Sequence, residues 1–393
     1  MSKLYNNYYT VVNSFYSYFK NFTNSKTLLN FLPHFFCSLI NSESITSSKV
    51  ALNLFSSFNP YVKLDSHLRR IHRFLNNSNY NIHTIFDDIV DDVLSKYKLS
   101  HDDNNIHISF DHMFTKENFT TLMFTLRVGR QGIPLYFKTY DGKHGNNHGD
   151  AFRIRNIKNG ILYCHNLIKK HIPNSNIIFL ADRWFGNLFP LMNYIDSLND
   201  TFVMRCKSNM LVYFMPYNES HKIWMPITDL PHYVNHSALY NNLEFTRHKY
   251  TYNLAYCKSK DHKESWLLIT NGDPKYAKAC YGYRFGSIEF LFKSQKTNGF
   301  YLEETGIKNI HAFDNLYSLV CIANLYLTCL GTDISKNKKC YKNIGFRITR
   351  KDTKTNSIKR CISRFRAGLN LFKMAINCPI KFRLPITFIL YDS

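Results

Sequence analysis

The chain has 393 residues, 45% of them hydrophobic, with 27 Tyr and 32 Phe, which excludes a disordered polymer and supplies core for two or three domains. Lys+Arg 50 against Asp+Glu 28 leaves a formal charge of +22, which favours a polyanionic partner, nucleic acid first, because each neutralised phosphate releases condensed counterions. Ten cysteines stand without a C-x-x-C pair and no signal-peptide pattern opens the chain, so reduced thiols and a cytoplasmic location are expected and zinc fingers are not.

Residues 1–100 place apolar side chains at mixed three- and four-residue spacing, as in Leu68-Ile71-Leu75, and read as a helical N-terminal DNA-binding region. Within it, Thr46 to Leu75 reads as two helices broken around Asn59-Pro60, with Arg69, Arg70 and Arg73 in the second. A helix-turn-helix DNA reader and a plain solvated basic helix both fit this segment. Asp87-Asp88-Ile-Val-Asp91-Asp92 has the spacing of a Mg²⁺-diphosphate motif of terpenoid synthases, but no second acidic motif accompanies it, and a solvated acidic helix face is expected.

From Asn105 the pattern changes to strands, Ile106 to Phe110, Thr120 to Val128 and Ile133 to Tyr140, the last two joined by Gly129-Arg130-Gln131-Gly132, a tight-turn composition. His144 and His148 have a metal-ligand spacing, but Gly145 and Gly149 mark their segment as a loop. A helix from about Ala151 to Lys170, a strand from Asn176 to Ala181, a helix near Asn187 to Leu198 and a strand from Thr201 to Cys206 complete the order βββαβαβ. This is the sequence order of the ribonuclease-H-like fold, a mixed α/β class.

Residues 208–275 return to strand-like pieces, Leu211 to Phe214, Leu243 to Tyr256 and Ser265 to Thr270, and read as a β-rich insertion between 101–207 and 276–332, the two parts of a catalytic domain. Helical patterns follow from Ser287 to Lys296 and from Asn309 to Leu330. The apolar run Leu316 to Leu330 is short and carries Asn324, so a buried core helix is expected and not a membrane span. Residues 333–393 form a basic C-terminal region, with Lys336, Lys338, Lys339, Lys342, Arg347 and further basic residues, suited to DNA contact or dimerisation.

Asp111 and Asp182 each close a predicted strand, so if those strands are neighbours the two carboxylates meet at one sheet edge, where they suit a hard divalent metal. An Asp at a strand end is also an ordinary turn residue. Further on, Tyr281-Gly-Tyr-Arg284-Phe-Gly-Ser-Ile-Glu289-Phe-Leu-Phe-Lys293-Ser-Gln-Lys296 puts Glu289, Lys293 and Lys296 on one helix face. No nucleotide-binding glycine loop and no Ser or Cys nucleophile motif is present.

Strand-borne Asp111, Leu-Ala-Asp182-Arg183 at a strand end, a β-rich insertion, and then Tyr-x-x-Arg before Glu-x₆-Lys together resemble the DDE transposases of bacterial insertion sequences, in the branch with a Y-R-E-K signature and an inserted β domain. The resemblance spans about residues 105–330. It departs from the family in one place: four residues, including Gly286, separate Arg284 from Glu289, where the family has three.

The resemblance implies that Asp111, Asp182 and Glu289 hold two Mg²⁺ ions, with Mn²⁺ as a substitute, and that water cuts first and the freed 3′-hydroxyl then attacks target DNA. A hairpin on the transposon end is a frequent intermediate in this branch. By the same resemblance Tyr281, Arg284, Lys293, Lys296 and Arg183 contact double-stranded DNA, namely terminal inverted repeats and target, and the enzyme acts as a homodimer. Trp184 and Trp266 are read as core residues or as platforms for an unpaired base. The alternatives are a ribonuclease-H-like nuclease without strand transfer and a catalytically silent DNA-binding remnant.

Overall fold

Six helices precede the first strand in the computed structural model, which describes residues 2–97, 104–115, 119–142, 150–217, 220–246, 250–258, 264–336, 349–351, 358–377, 384, 386 and 388–390. They are α1 (Ser2–Phe19), α2 (Lys26–Leu29), α3 (Leu32–Ser42), α4 (Ser47–Ser57), α5 (Leu64–Leu75) and α6 (Ile82–Ser95). Local chemistry sets their limits. The Ser25 hydroxyl accepts the Leu28 N–H at the start of α2, Pro33 lies in the first turn of α3, and the Asn81 side chain accepts the Thr84 N–H at the start of α6. α4 and α5 separate around Asn59-Pro60 as expected; α5 buries His67, Ile71, Phe74 and Leu75 and exposes Arg69 and Arg73. Arg70 instead lies over the rings of Phe31 and Phe58, at 4.4 and 5.4 Å.

Two acids of α6 are engaged in structural pairs: Asp91 binds Lys170 and His171 at 2.7 and 2.8 Å, and Asp92 binds Lys96 at 2.6 Å. His144, His148, Lys338, Lys339, Lys342 and Arg347 lie outside the described residues.

The strands and helices that follow are β1 (Asn105–Thr115), β2 (Phe119–Val128), β3 (Gln131–Asp141), α7 (Asp150–His171), β4 (Asn176–Ala181), α8 (Phe189–Ser197) and β5 (Thr201–Arg205). Five more strands come next: β6 (Leu211–Phe214), β7 (Ile223–Pro226), β8 (Ser237–Phe245), β9 (Tyr250–Cys257) and β10 (Trp266–Thr270). All ten join one mixed sheet in the order β3-β2-β1-β4-β5-β10-β9-β8-β6-β7. β1, β4 and β5 are parallel, and the antiparallel pairing of β10 with β5 continues the sheet into residues 208–275.

Several elements differ from the sequence reading, three of them in the sheet. β1 runs on past Asp111 to Thr115, because residues 111–115 pair with β2, from Asp111 opposite Met123 to Thr115 opposite Phe119. The run Leu243 to Tyr256 is two strands, β8 and β9, with Thr246 at φ 50° leaving the first. β7 had no distinct sequence signal in its four residues.

Alternate residues of β4 sort to the two sheet faces. Ile177, Phe179 and Ala181 join the large core with α7 and α8, whereas Ile178 and Leu180 pack with Ala277, Cys280 and Tyr281 of α9 (Pro274–Arg284). After α9 come a π-turn, Phe285–Glu289, and then α10 (Phe290–Lys296), α11 (Ile310–Lys336), β11 (Thr349–Lys351), β12 (Ile358–Arg360) and α12 (Arg364–Asn377). Between Ile310 and Ile334 α11 is long and apolar enough to cross a membrane, yet 94% of its apolar window is buried within the fold, in agreement with the expected core helix. Side chains of α1, α3, α11, α12 and the sheet share one continuous apolar core.

Candidate active site

The register of β1 and β4 sets two acids side by side. Ser109 stands opposite Leu180 in this parallel pair, so two residues farther along each chain come Asp111 and Asp182. Asp111 Oδ1 accepts the His112 N–H at 2.8 Å, and Asp182 Oδ1 accepts the Trp184 N–H at 2.9 Å in the turn that ends β4. That turn presses on the end of β5: a Cβ at Gly186 would lie 1.8 Å from the Arg205 carbonyl oxygen, so only glycine fits.

The third acid arrives from the opposite side of the chain order. A π-turn adds one residue to a helical turn and brings residues five apart onto one face. Arg284 and Glu289 therefore meet, with Arg284 Nη1 donating to Glu289 Oε1 at 2.9 Å, and the fourth intervening residue is absorbed within a continuous helical path. Helix formation thus begins at Pro274, well before the Ser287 start read from the sequence, and Arg284 stays on the acid-bearing face. The turn is fixed to the sheet by a 2.7 Å hydrogen bond between the buried hydroxyls of Ser109 and Ser287.

Arg284 Nη2 also donates to Asp111 Oδ2, so one guanidinium, its side chain only 7% exposed, bridges two acids. Asp182 lies close enough for its charge to act on both Asp111 and Arg284. Burial raises the Asp111 pKa and the Asp182 charge adds to this, against the opposing pull of Arg284. Burial alone would lower the Arg284 pKa, but Asp111, Tyr281, Asp182 and Glu289 reverse it and hold the guanidinium protonated. Among the described residues no group of three His, Cys, Asp or Glu side chains is arranged to hold a metal ion.

Other predicted site residues are distributed around this centre. Lys296 donates to the Phe114 carbonyl at 2.9 Å and pairs with Glu303 at 2.9 Å, three residues along β1 from Asp111. Lys293 is exposed and lines a separate cavity of about 350 Å³ with Phe290, Asn298 and Arg366. Arg183 is paired with Glu264, which Arg205 also binds at 2.7 Å; hydrogen bonds from the two arginines hold the Glu264 carboxyl below its usual range. Tyr281 is 3% exposed and packs edge-on against Trp266 and Phe285, at 5.2 and 5.8 Å between ring centres. Trp266 is thus part of an aromatic cluster under the turn, whereas Trp184 keeps 37% of its surface exposed.

Sequence reasoning missed His112 and Glu264. The His112 ring stacks on Phe185 and meets Trp184 edge-on, at 5.3 and 5.2 Å, and burial, with the Arg153 charge, lowers its pKa to about 4. The only signal was its place directly after Asp111. Glu264 carried none, since its partners come from β5 and the turn after β4.

No protein-family model matches the chain, and no curated protein sequence is significantly similar to it.

Proposed function

We propose that the chain is a DDE-type DNA transposase, which cuts at transposon ends and joins the freed ends to target DNA. The observation that carries this reading is the bridging of Asp111 and Glu289 by one guanidinium, with Asp182 near enough for its charge to act on both Asp111 and Arg284, where β4 ends beside β1. The order β3-β2-β1-β4-β5, with β1, β4 and β5 parallel, supports a ribonuclease-H-like core. The charge of +22 supports a phosphate-rich substrate, and the joining of two ends makes a homodimer on DNA part of the same proposal.

The donor type suits a hard divalent cation, because two carboxylates, Asp111 and Glu289, already bind a positive group, Arg284, and a third, Asp182, lies near it. Asp111, Asp182 and Glu289 would hold Mg²⁺ or Mn²⁺, which when bound lowers the pKa of attacking water and offsets charge on the leaving oxygen. The chain's own residues supply the rest. The Trp184 N–H orients the Asp182 carboxylate, and Lys296, fixed beside β1, offers positive charge to a phosphate next to the cut bond. Trp184, 37% exposed in the turn that holds Asp182, gives a flat surface on which an unpaired base can stack.

The test is cleavage and strand transfer on DNA carrying the element's own ends, with Mg²⁺ or Mn²⁺. The unaltered protein is expected to cut and join, while Glu289→Gln binds the DNA and loses cleavage. Cutting without joining would move the reading to a nuclease; binding without cutting by the unaltered protein would reduce it to a DNA-binding protein.

A further inference from the structure

Arg284 holds an unusual position for a phosphate-binding side chain: it is buried among the acids. Its two terminal nitrogens are bound to different carboxylates, Asp111 Oδ2 and Glu289 Oε1, with the second bond at 2.9 Å. Metal ligation at about 2.0–2.1 Å, as Mg²⁺ requires, needs these same oxygens and the space between them. The other basic side chain fixed near β1, Lys296, is bound to Phe114 and Glu303 and does not take this place.

We propose that Arg284 is a built-in counter-cation of the acid cluster, and that its guanidinium and a divalent metal ion compete for one place, so that metal loads fully only when Arg284 finds another anion, a DNA phosphate. This rests on the transposase reading above. Asp111 and Glu289 at one place, with the Asp182 charge nearby, would repel one another without a cation in a partly buried site, and a planar guanidinium that bridges the first two relieves this in the DNA-free chain. Arg284 Nε is buried without a hydrogen-bond partner, so the guanidinium satisfies only part of its donor set where it stands. It is also flanked by Gly282 and Gly286 at the junction of α9 with the π-turn, and a side chain at Gly282 would meet nothing within 4 Å. Departure of Arg284 toward a phosphate would uncover the acids for metal and supply the phosphate with its cation in a single movement. A chain without DNA then carries no fully loaded hydrolytic centre.

The experiment is a Mn²⁺ titration of the full chain without DNA, with free Mn²⁺ read by electron paramagnetic resonance. Arg284→Gln is expected to bind Mn²⁺ at least about tenfold more tightly than the unaltered chain, within the usual range for coupling between two ligands. The double variant Arg284→Gln with Asp111→Asn is expected to lose that gain. If Arg284→Gln binds no more tightly, while the unaltered chain has a Mn²⁺ site that Asp111→Asn removes, the competition is refuted and the metal-bearing site stands. If neither chain has a Mn²⁺ site sensitive to Asp111→Asn or Glu289→Gln, the metal reading fails together with the inference. Circular dichroism checks folding. Should Arg284→Gln not fold, Arg284→Lys serves instead: one ammonium group cannot bridge both carboxylates as the fork does, so tighter Mn²⁺ binding is again expected, and equal or weaker binding refutes the competition.

Discussion

A methyl group at position 132 would stand 2.6 Å from the Ser287 carbonyl oxygen and 3.0 Å from its Cα, so the first residues of β3 touch the π-turn backbone to backbone. Gly132 thereby sets how closely Glu289 approaches β1 without meeting the acid itself. Gly132→Ala is expected to cost about 1–3 kcal/mol, the usual range for overpacking, and to lower cleavage beyond what the loss of folded protein explains. Thermal melts beside cleavage rates per folded molecule check it; unaltered cleavage would show that the turn position is not critical. At this scale the sequence was legible where side-chain chemistry coincided with a strand end, as at Asp182, and less so at Asp111, which lies within a strand that pairs onward with β2. The bridge from Arg284 to Asp111 was not legible, because it joins residues 173 apart in sequence.

The π-turn accounts for the one place where the Y-R-E-K spacing departs. An inserted residue in an α-helix can be contained in a single wide turn, which leaves the helix on both sides in its former orientation. Gly286 is the residue whose removal should restore regular winding: a Cβ at this position would have the Arg130 carbonyl oxygen as its nearest neighbour, at 3.5 Å, so no side chain is packed there. Deleting Gly286 is expected to convert Phe285–Glu289 to α-helix and to keep Arg284 and Glu289 in contact at i,i+4. The melting temperature should stay within about 3 °C, roughly 1 kcal/mol, and DNA cleavage should persist. Loss of cleavage in a folded deletion variant would mean that the wide turn itself is needed. The elements that sequence periodicity conveyed well were the long ones, β2, β3, α7 and α11. β7 has four residues, too few for a period, and the break between β8 and β9 falls at the polar stretch Thr246-Arg-His-Lys249, which has no Gly or Pro to mark it as a turn.

At the scale of the molecule, the helices before β1 and the helix after β12 share their core with the sheet, and this has a measurable consequence. The three tryptophans, Trp184, Trp224 and Trp266, all lie on the sheet or its turns, whereas far-ultraviolet circular dichroism is dominated by the helices. If the shared core makes one cooperative unit, the two signals should report the same melting midpoint at pH 7. His34 tests this from the helical side. Its ring lies 3.9 Å from that of Phe58, and burial, with the nearby Arg70 charge, lowers its pKa to about 4. An unfolded histidine titrates near ~6.5, so between that pH and about 4 the unfolded chain takes up a proton here that the folded chain refuses. The contribution of neutral His34 is therefore fully present above pH ~6.5 and is lost as pH falls toward 4. Other groups titrate in this window too, among them Asp87, whose pKa burial raises to about 6 and which acts in the opposite sense, so the comparison is with His34→Phe at each pH. Moving from pH 7 to pH 5, the variant should gain stability relative to the unaltered chain, and tryptophan emission should register the gain as fully as circular dichroism does. If only the dichroism midpoint moves, the helices melt by themselves, and the continuous core seen in the fold does not bind helices and sheet into one thermodynamic unit.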